Sequence, residues 1–116
     1  MIPGRNLVFL KPLTGITSCL ELGNKREGHN PPYKAWFEKR GIRHVSIDLN
    51  GKDGALALDL REPLGLGTFD LVTNFGTSEH VSEQEPVWRN IAEACDKLFV
   101  SATPTPGLYP GHWIWY

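Results

Sequence analysis

Five short apolar runs, separated by polar or turn-forming residues, have the length and composition of buried β-strands. They are rich in Leu, Val, Ile and Phe. The runs cover residues 16–22, 45–49, 55–60, 69–75 and 98–102. A further run, Leu7 to Leu10, is predicted to be an edge strand or a packing arm. Buried strands of this kind are typical of parallel sheets that are covered by helices.

Two other segments have the periodicity of helices. Residues 33–40 repeat large side chains at helical spacing, and Gly41 stands where such a helix ends. Ser82 and Glu85 have capping-box spacing, but Pro86 fits best at the first helical position, so we expect a short turn and then a helix from Pro86. Its apolar face consists of Val87, Ile91, Ala94 and Leu98. The order of elements predicts an α/β fold with a mostly parallel sheet of about five strands and flanking helices.

Composition and charge limit the classes of protein to consider. The 116 residues are expected to form a single domain, and the net charge of -1 argues against a basic surface for nucleic acid or membrane. Cys19 and Cys95 lie inside apolar runs and lack the spacing of metal ligands. No secretory signal or membrane span is visible in the sequence. We therefore expect a cytoplasmic protein without a metal site.

Acidic and small residues follow the predicted strands, where ligands bind in open parallel sheets. Asp48 can accept hydrogen bonds from both hydroxyls of a ribose, or it caps a loop. Gly23 allows close approach of a ligand or a positive φ. Glu21 either orients this loop or accepts a ligand ammonium, since a carboxylate in an apolar strand requires a partner. Asp59 either accepts from an adenine amine or is a turn residue near Arg61.

Four segments together resemble the motifs of class I S-adenosylmethionine-dependent methyltransferases. Ser18 to Gly23 resembles the first motif, Val45 to Leu49 the ribose-binding segment, and Leu58 to Leu60 the adenine-side segment. Phe69 to Val81 resembles the fourth-strand motif, which in many members closes with Glu-His-Val. The resemblance covers about residues 16–102 and implies a doubly wound, Rossmann-like sheet that binds S-adenosylmethionine.

The resemblance implies contacts with S-adenosylmethionine from eight residues: Glu21, Gly23, Asp48, Leu49, Asp59, Leu60, Asn74 and Gly76. Glu21 and Gly23 would flank the methionine end, and Asp48 would hold the ribose. Asp59 and Leu60 would border the adenine, and the segment from Asn74 to Ser78 would line the floor near the sulfonium. His80 is a candidate general base, with shaping of the next turn as its alternative role.

The sequence departs from the family pattern in two places. Alternating glycines usually follow the first motif, whereas Gly23 is followed by Asn24 to Glu27. The absence of G-x-G-x-x-G also argues against a dinucleotide ligand. Family members continue for two more strands and at least one helix, so we expect a fold that lacks the last strands. Two functions stay open: methyl transfer to a small-molecule acceptor, or a non-catalytic cofactor-binding or assembly module.

Large apolar side chains stand at the end of the chain, in residues 109–116. Such aromatic groups favour burial, and the last predicted strand is an open sheet edge. We expect this tail to pack on its own sheet or on a second copy of the chain, which would make a homo-oligomer.

Overall fold

One all-parallel sheet carries the structure. The computed structural model describes Leu10 and residues 13–24 and 32–102, and within them four strands and two α-helices alternate along the chain. Their bounds are β1 Ser18–Leu22, α1 Tyr33–Lys39, β2 Arg43–Ile47, β3 Phe69–Phe75, α2 Gln84–Ala94 and β4 Cys95–Ala102. Short 3₁₀ turns lie at Lys52–Gly54 and Ser78–His80. The predicted α/β class with a parallel sheet is confirmed.

The strand order is β2-β1-β3-β4, with every neighbouring pair parallel. From β1 the chain passes to β2 on one side and then returns to β3 on the other side. Leu22, at the end of β1, is in register with Ile47 of β2 and with Asn74 of β3. The carboxyl ends of three strands therefore meet at one edge, on both sides of the point where the order reverses.

The two faces of the sheet have separate cores, because successive side chains of a strand point to opposite faces. On one face, Leu20 and Val72 pack with Val87 and Ile91 of α2. On the other face, Cys19, Leu71 and Phe75 pack with α1 through its buried residues Tyr33, Trp36 and Phe37. Each strand side chain therefore belongs to one of these two cores, and the core determines which helix it contacts.

Helix α1 forms where the sequence predicts it. The helix ends at Lys39, and Gly41 adopts the left-handed conformation (φ 71°) that glycine favours after a helix. Arg40 lies 3.8 Å above the Trp36 ring and covers its outer face.

Helix α2 begins two residues earlier than expected. The N-cap is Glu83 and no side chain caps the helix, so the predicted capping box of Ser82 and Glu85 is wrong. The buried Gln84 carboxamide donates to the carbonyls of Ser78 and Val81, which fixes the first turn before Pro86. A proline is tolerated at this third position because the first N–H groups of a helix have no intrahelical acceptor.

The predicted strand over residues 55–60 is wrong, since the structure has a single parallel bridge there, between Leu56 and Ile47. The Leu56 N–H donates to Ser46 and its carbonyl accepts from Asp48. The Leu58 N–H then bonds back to the Leu56 carbonyl at 2.9 Å, and this tight turn carries the chain away from the sheet.

Two other predicted strand ends shift by a few residues. Strand β2 stops at Ile47, and Leu49 is 68% exposed in the following turn. Strand β4 begins at Cys95 directly after α2, so Leu98 belongs to the strand and not to the helical face. In each case a turn or a pairing partner, and not the apolar pattern, sets the boundary.

Both described α-helices fall short of the length and apolarity needed to cross a membrane. Most of the predicted Leu7 to Leu10 run lies outside the described residues; Leu10 itself is buried against the α1 core. The aromatic tail, residues 109–116, also lies outside them, so its packing and the homo-oligomer stay predictions.

Asn90 is expected to be the main polar attachment between α2 and the segment after Leu60. Its buried side-chain amide donates to the carbonyls of Leu60 and Glu62, at 2.8 and 2.9 Å. Asn90→Ala leaves these carbonyls without their donor and should lower the free energy of unfolding by about 2 kcal/mol, measured by urea denaturation. The exposed Glu93 on the same helix is the control, and Glu93→Ala should change it by less than about 0.5 kcal/mol. Equal effects of the two substitutions would contradict this role.

Candidate functional site

A cavity of about 530 Å³ lies at the carboxyl ends of β1, β2 and β3. Its size is within the range of small-molecule sites. The lining combines apolar, small and charged residues: Gly23, Asn24, Ile47, Asp48, Leu49, Leu58, Asp59, Leu60, Arg61, Phe75, Gly76, Thr77, His80, Val81 and Ser82. Ile47, Leu58, Leu60 and Val81 also belong to the α2-side core or pack against it, so the cavity opens on the α2 face of the sheet.

Most of the residues singled out from the sequence line this cavity. They are Gly23, Asp48, Leu49, Asp59, Leu60, Gly76 and His80. Glu21 and Asn74 do not line it. The structure therefore brings together residues that are up to 57 positions apart, between Gly23 and His80.

Asp48 follows β2 directly and presents a carboxylate oxygen to the cavity region. Its backbone is fixed by hydrogen bonds with Leu56 and Gly51, and its Oδ1 accepts from the N–H of Asn50 at 3.2 Å. Oδ2 has no hydrogen-bond partner among the described residues. Asp48 thus caps its own turn with one oxygen, and its other oxygen makes no hydrogen bond to a described residue; its ribose-binding role stays a prediction.

Gly23 and Thr77 join the ends of β1 and β3. The Thr77 hydroxyl donates to the carbonyl of Leu22 at 2.8 Å, and the Gly23 N–H donates to the carbonyl of Ile47 at 2.7 Å. Gly23 has a φ of 79°, and a Cβ at this position would clash with Oγ1 of Thr77. Glycine is therefore required here by its own backbone conformation and by the approach of the β3 loop.

Asp59 is held by Arg61 in the cavity wall. The Arg61 guanidinium reaches both carboxylate oxygens, with Nη2 at 2.8 Å from Oδ2 and Nε at 3.1 Å from each oxygen. The Arg61 N–H also donates to Oδ1 at 2.9 Å. These hydrogen bonds lower the pKa of Asp59 to about 2, and the pair raises the pKa of Arg61. Asp59 therefore carries a negative charge that Arg61 already partners.

Glu21 points away from the cavity, so its predicted contact with a ligand ammonium is wrong. The side chain is fully buried on the α1 face, where Oε1 lies 2.8 Å from Nε2 of the equally buried His44. The His44 ring stacks on Phe37 at 5.0 Å. Burial and the Glu21 charge also raise the pKa of the neighbouring Cys19 thiol. The partner that a buried carboxylate requires is thus a histidine from β2.

Asn74 supports the cavity floor from below and does not contact the cavity. Its Oδ1 accepts from the N–H groups of Thr77 and Ser78, and its Nδ2 donates to the hydroxyls of Ser78 and Ser101. The fully buried carboxamide therefore shapes the β3 loop, which presents Gly76 and Thr77 to the cavity.

The remaining predicted residues differ in exposure. Leu60 is buried, and Leu49 lies exposed at the rim. Gly76 has a φ of 76° and ends β3. His80 is exposed at the end of the 3₁₀ turn that follows. The structure thus places the His80 imidazole in the cavity lining, in the turn that follows β3.

Sequence reasoning placed Thr77 in the segment that lines the site but missed its contact with β1, and it missed Arg61 and Asn24 as parts of the site. Thr77 acts through a residue 55 positions away, and no local pattern marks such a contact. Arg61 had a signal, since it stands two residues after Asp59, the usual spacing of an aspartate-centred turn. Asn24 donates to the Lys52 carbonyl, and its buried Oδ1 has no partner among the described residues.

Among the described residues, no group of three His, Cys, Asp or Glu side chains is arranged to hold a metal ion. Comparison with known proteins gave no match: no family model, no curated protein and no solved structure matches the chain. The geometry of the cavity is therefore the basis for assigning a function.

The junction of Gly23 and Thr77 is expected to be sensitive to one added methyl group. Gly15 is the matched control, because its φ of 76° is similar and a Cβ there meets nothing within 4 Å. Gly15→Ala should cost about 1–2 kcal/mol from the backbone conformation alone. Gly23→Ala should cost at least about 1 kcal/mol more, since the added Cβ must displace Thr77.

Urea denaturation measures both values, and Thr77→Ala in the Gly23→Ala background tests the cause. The second substitution removes the clashing hydroxyl and should recover part of the lost stability. Equal costs at Gly15 and Gly23 would show that the close approach is absent in solution.

The Asp59–Arg61 pair predicts a loss of stability in acid. The pKa of Asp59 in the folded chain is about 2 and its ordinary value is 3.8, so the pair stabilises the fold above about pH 4. This contribution is lost as the pH falls towards about 2. Urea midpoints of the wild type should therefore fall more steeply over this range than those of Asp59→Asn. Arg61→Met should give the same shallow dependence, and curves parallel to the wild type for both variants would rule the pair out.

Proposed function

We propose that this chain binds S-adenosylmethionine in the cavity at the carboxyl edge of its sheet and transfers the methyl group to a small-molecule acceptor. The observation that carries the proposal is the position of Asp48. It stands at the end of β2 beside the cavity, with one carboxylate oxygen free of partners among the described residues. That is the place and chemistry of a ribose acceptor in doubly wound sheets.

The strand order supports a Rossmann-like fold. The order β2-β1-β3-β4 places the cavity at the reversal between β1 and β3, and Leu56 pairs with the outer side of β2. If this single bridge is counted as a rudimentary strand, the order becomes that of five strands of the Rossmann arrangement. The helices cover opposite faces, as a doubly wound sheet requires.

The residues present fit an adenosyl ligand in several respects. Leu58 and Leu60 offer apolar surface for a purine beside the Asp59 carboxylate. Asn24 contributes a buried acceptor without a described partner on the β1 side. Two carboxylates face one guanidinium in the lining, and this excess of negative charge suits a positively charged sulfonium.

S-adenosylmethionine, when bound, would supply an electrophilic methyl carbon: the acceptor atom bonds to this carbon as its bond to sulfur breaks, and S-adenosylhomocysteine leaves. The chain's own residues would bind and orient it. Gly23 and Gly76 let the backbone approach the ligand, and Asp48 holds the ribose. Positioning of this kind supplies much of the acceleration of a displacement reaction. His80 is the lining residue that could take a proton from the acceptor where one must be lost.

Asp48→Ala is expected to weaken the binding of both S-adenosylmethionine and S-adenosylhomocysteine by about 1–3 kcal/mol, measured by isothermal titration calorimetry. The reason is the loss of a charged acceptor for the ribose hydroxyls. Asp96→Ala is the matched control, because Asp96 is an exposed aspartate at the start of β4 and is remote from the lining. Its affinity should equal that of the wild type.

Unchanged affinity in Asp48→Ala would remove the ribose assignment, and no binding by the wild type would remove the proposed function. Methyl release in a screen of small acceptors distinguishes an enzyme from a binding module. Binding without turnover across that screen would favour the module.

A further inference from the structure

Arg61 has donors beyond those that Asp59 uses. Its Nη1 lies 3.5 Å from Glu83, a long contact to a side chain that is 61% exposed. The Arg61 side chain itself is 48% exposed in the cavity wall. A guanidinium has five N–H groups in a planar fork, which matches carboxylate and phosphate oxygens. Some N–H groups of the Arg61 guanidinium therefore make no strong hydrogen bond to Asp59 or Glu83.

Arg61 directs three N–H groups at the Asp59 carboxylate, and Nε–H is shared between its two oxygens. Oδ1 receives the backbone N–H and Nε, and Oδ2 receives Nε and Nη2. A carboxylate oxygen accepts about two hydrogen bonds. Nε and Nη2 occupy one edge of the Asp59 carboxylate, so an adenine amino group that approaches on that edge must replace a guanidinium contact.

We propose that Arg61 recognises an anionic methyl acceptor, a carboxylate or a phosphate, and that it is released for this role when adenine takes over Asp59. The inference rests on the proposed function and assigns the substrate class of the same site. Adenine then competes with Arg61 for Asp59, and the anion competes with Asp59 for Arg61. Each ligand weakens the Asp59–Arg61 contact that opposes the other, so their binding is mutually favourable.

Calorimetry with adenosine tests this coupling directly. Adenosine is titrated into the wild type in chloride, in inorganic phosphate and in acetate, at one ionic strength. The effective anion should tighten binding about fivefold or more. Phosphate and acetate are separate arms, because they distinguish a phosphorylated from a carboxylated acceptor. Purine riboside lacks the 6-amino group and should show no dependence on the anion.

Two arginine variants separate the specific effect from a general one. Arg61→Met should bind adenosine more tightly than the wild type in chloride and should lose the anion dependence. Arg43→Met removes the same charge at the amino end of β2, where Arg43 covers Phe69, and should keep the dependence.

The outcomes are distinguishable. Adenosine binding that is equal in all three anions, or anion dependence that persists in Arg61→Met, overturns the inference and leaves the proposed function standing. Failure of the wild type to bind adenosine and S-adenosylhomocysteine overturns both.

Discussion

The ends of β1 and β3 are held together where Thr77 donates its hydroxyl proton to the carbonyl of Leu22. Only glycine at position 23 leaves room for that approach. The same glycine donates its N–H to Ile47, so the contact also fixes the end of β2. Three strand ends thus take their relative positions from one small region. The cavity lies beside this junction, and both Gly23 and Thr77 line it.

Side-chain alternation in β1 directs the Glu21 carboxylate away from the cavity. Glu21 points to the α1 face, where its Oε1 lies 2.8 Å from Nε2 of His44, and the His44 ring stacks on Phe37. Removing either member of such a buried pair leaves an uncompensated polar group, which is costly. The pair therefore joins β1 to β2 on the face opposite the cavity. Gly23 lines the cavity, and Glu21 does not.

The carboxylates after the strands have different states in the cavity. Asp48 uses one oxygen in its own turn, whereas Asp59 gives both oxygens to Arg61. A ligand can reach Asp48 without breaking a described contact, but it must compete with a guanidinium for Asp59. In the proposed site, binding of the ribose therefore breaks no described contact, whereas binding of the adenine breaks one. The charge at Arg61 becomes relevant only in the second of them.

Apolar periodicity was sufficient to find β1, α1 and β3, because burial on a sheet or helix face leaves a local pattern in the chain. It failed at residues 55–60, where the chain is apolar enough for a strand but a tight turn after Leu56 ends the pairing. It also misjudged the start of α2, which depends on the Gln84 side chain donating to the carbonyls of Ser78 and Val81, in the turn just before the helix. Turns and side-chain hydrogen bonds do not leave a periodic signal.

By itself, the sequence determined which residues follow the strands, and in a parallel sheet that is enough to place Gly23, Asp48 and Gly76 at one edge. The tertiary structure alone decided what each of them contacts. Glu21 stands two residues before Gly23, yet it lies on the other face and bonds a histidine from β2. The sequence determines the type of each side chain and its position relative to the strands. The face to which a side chain points, and its distant partners, are fixed only when the strands pair and the helices pack.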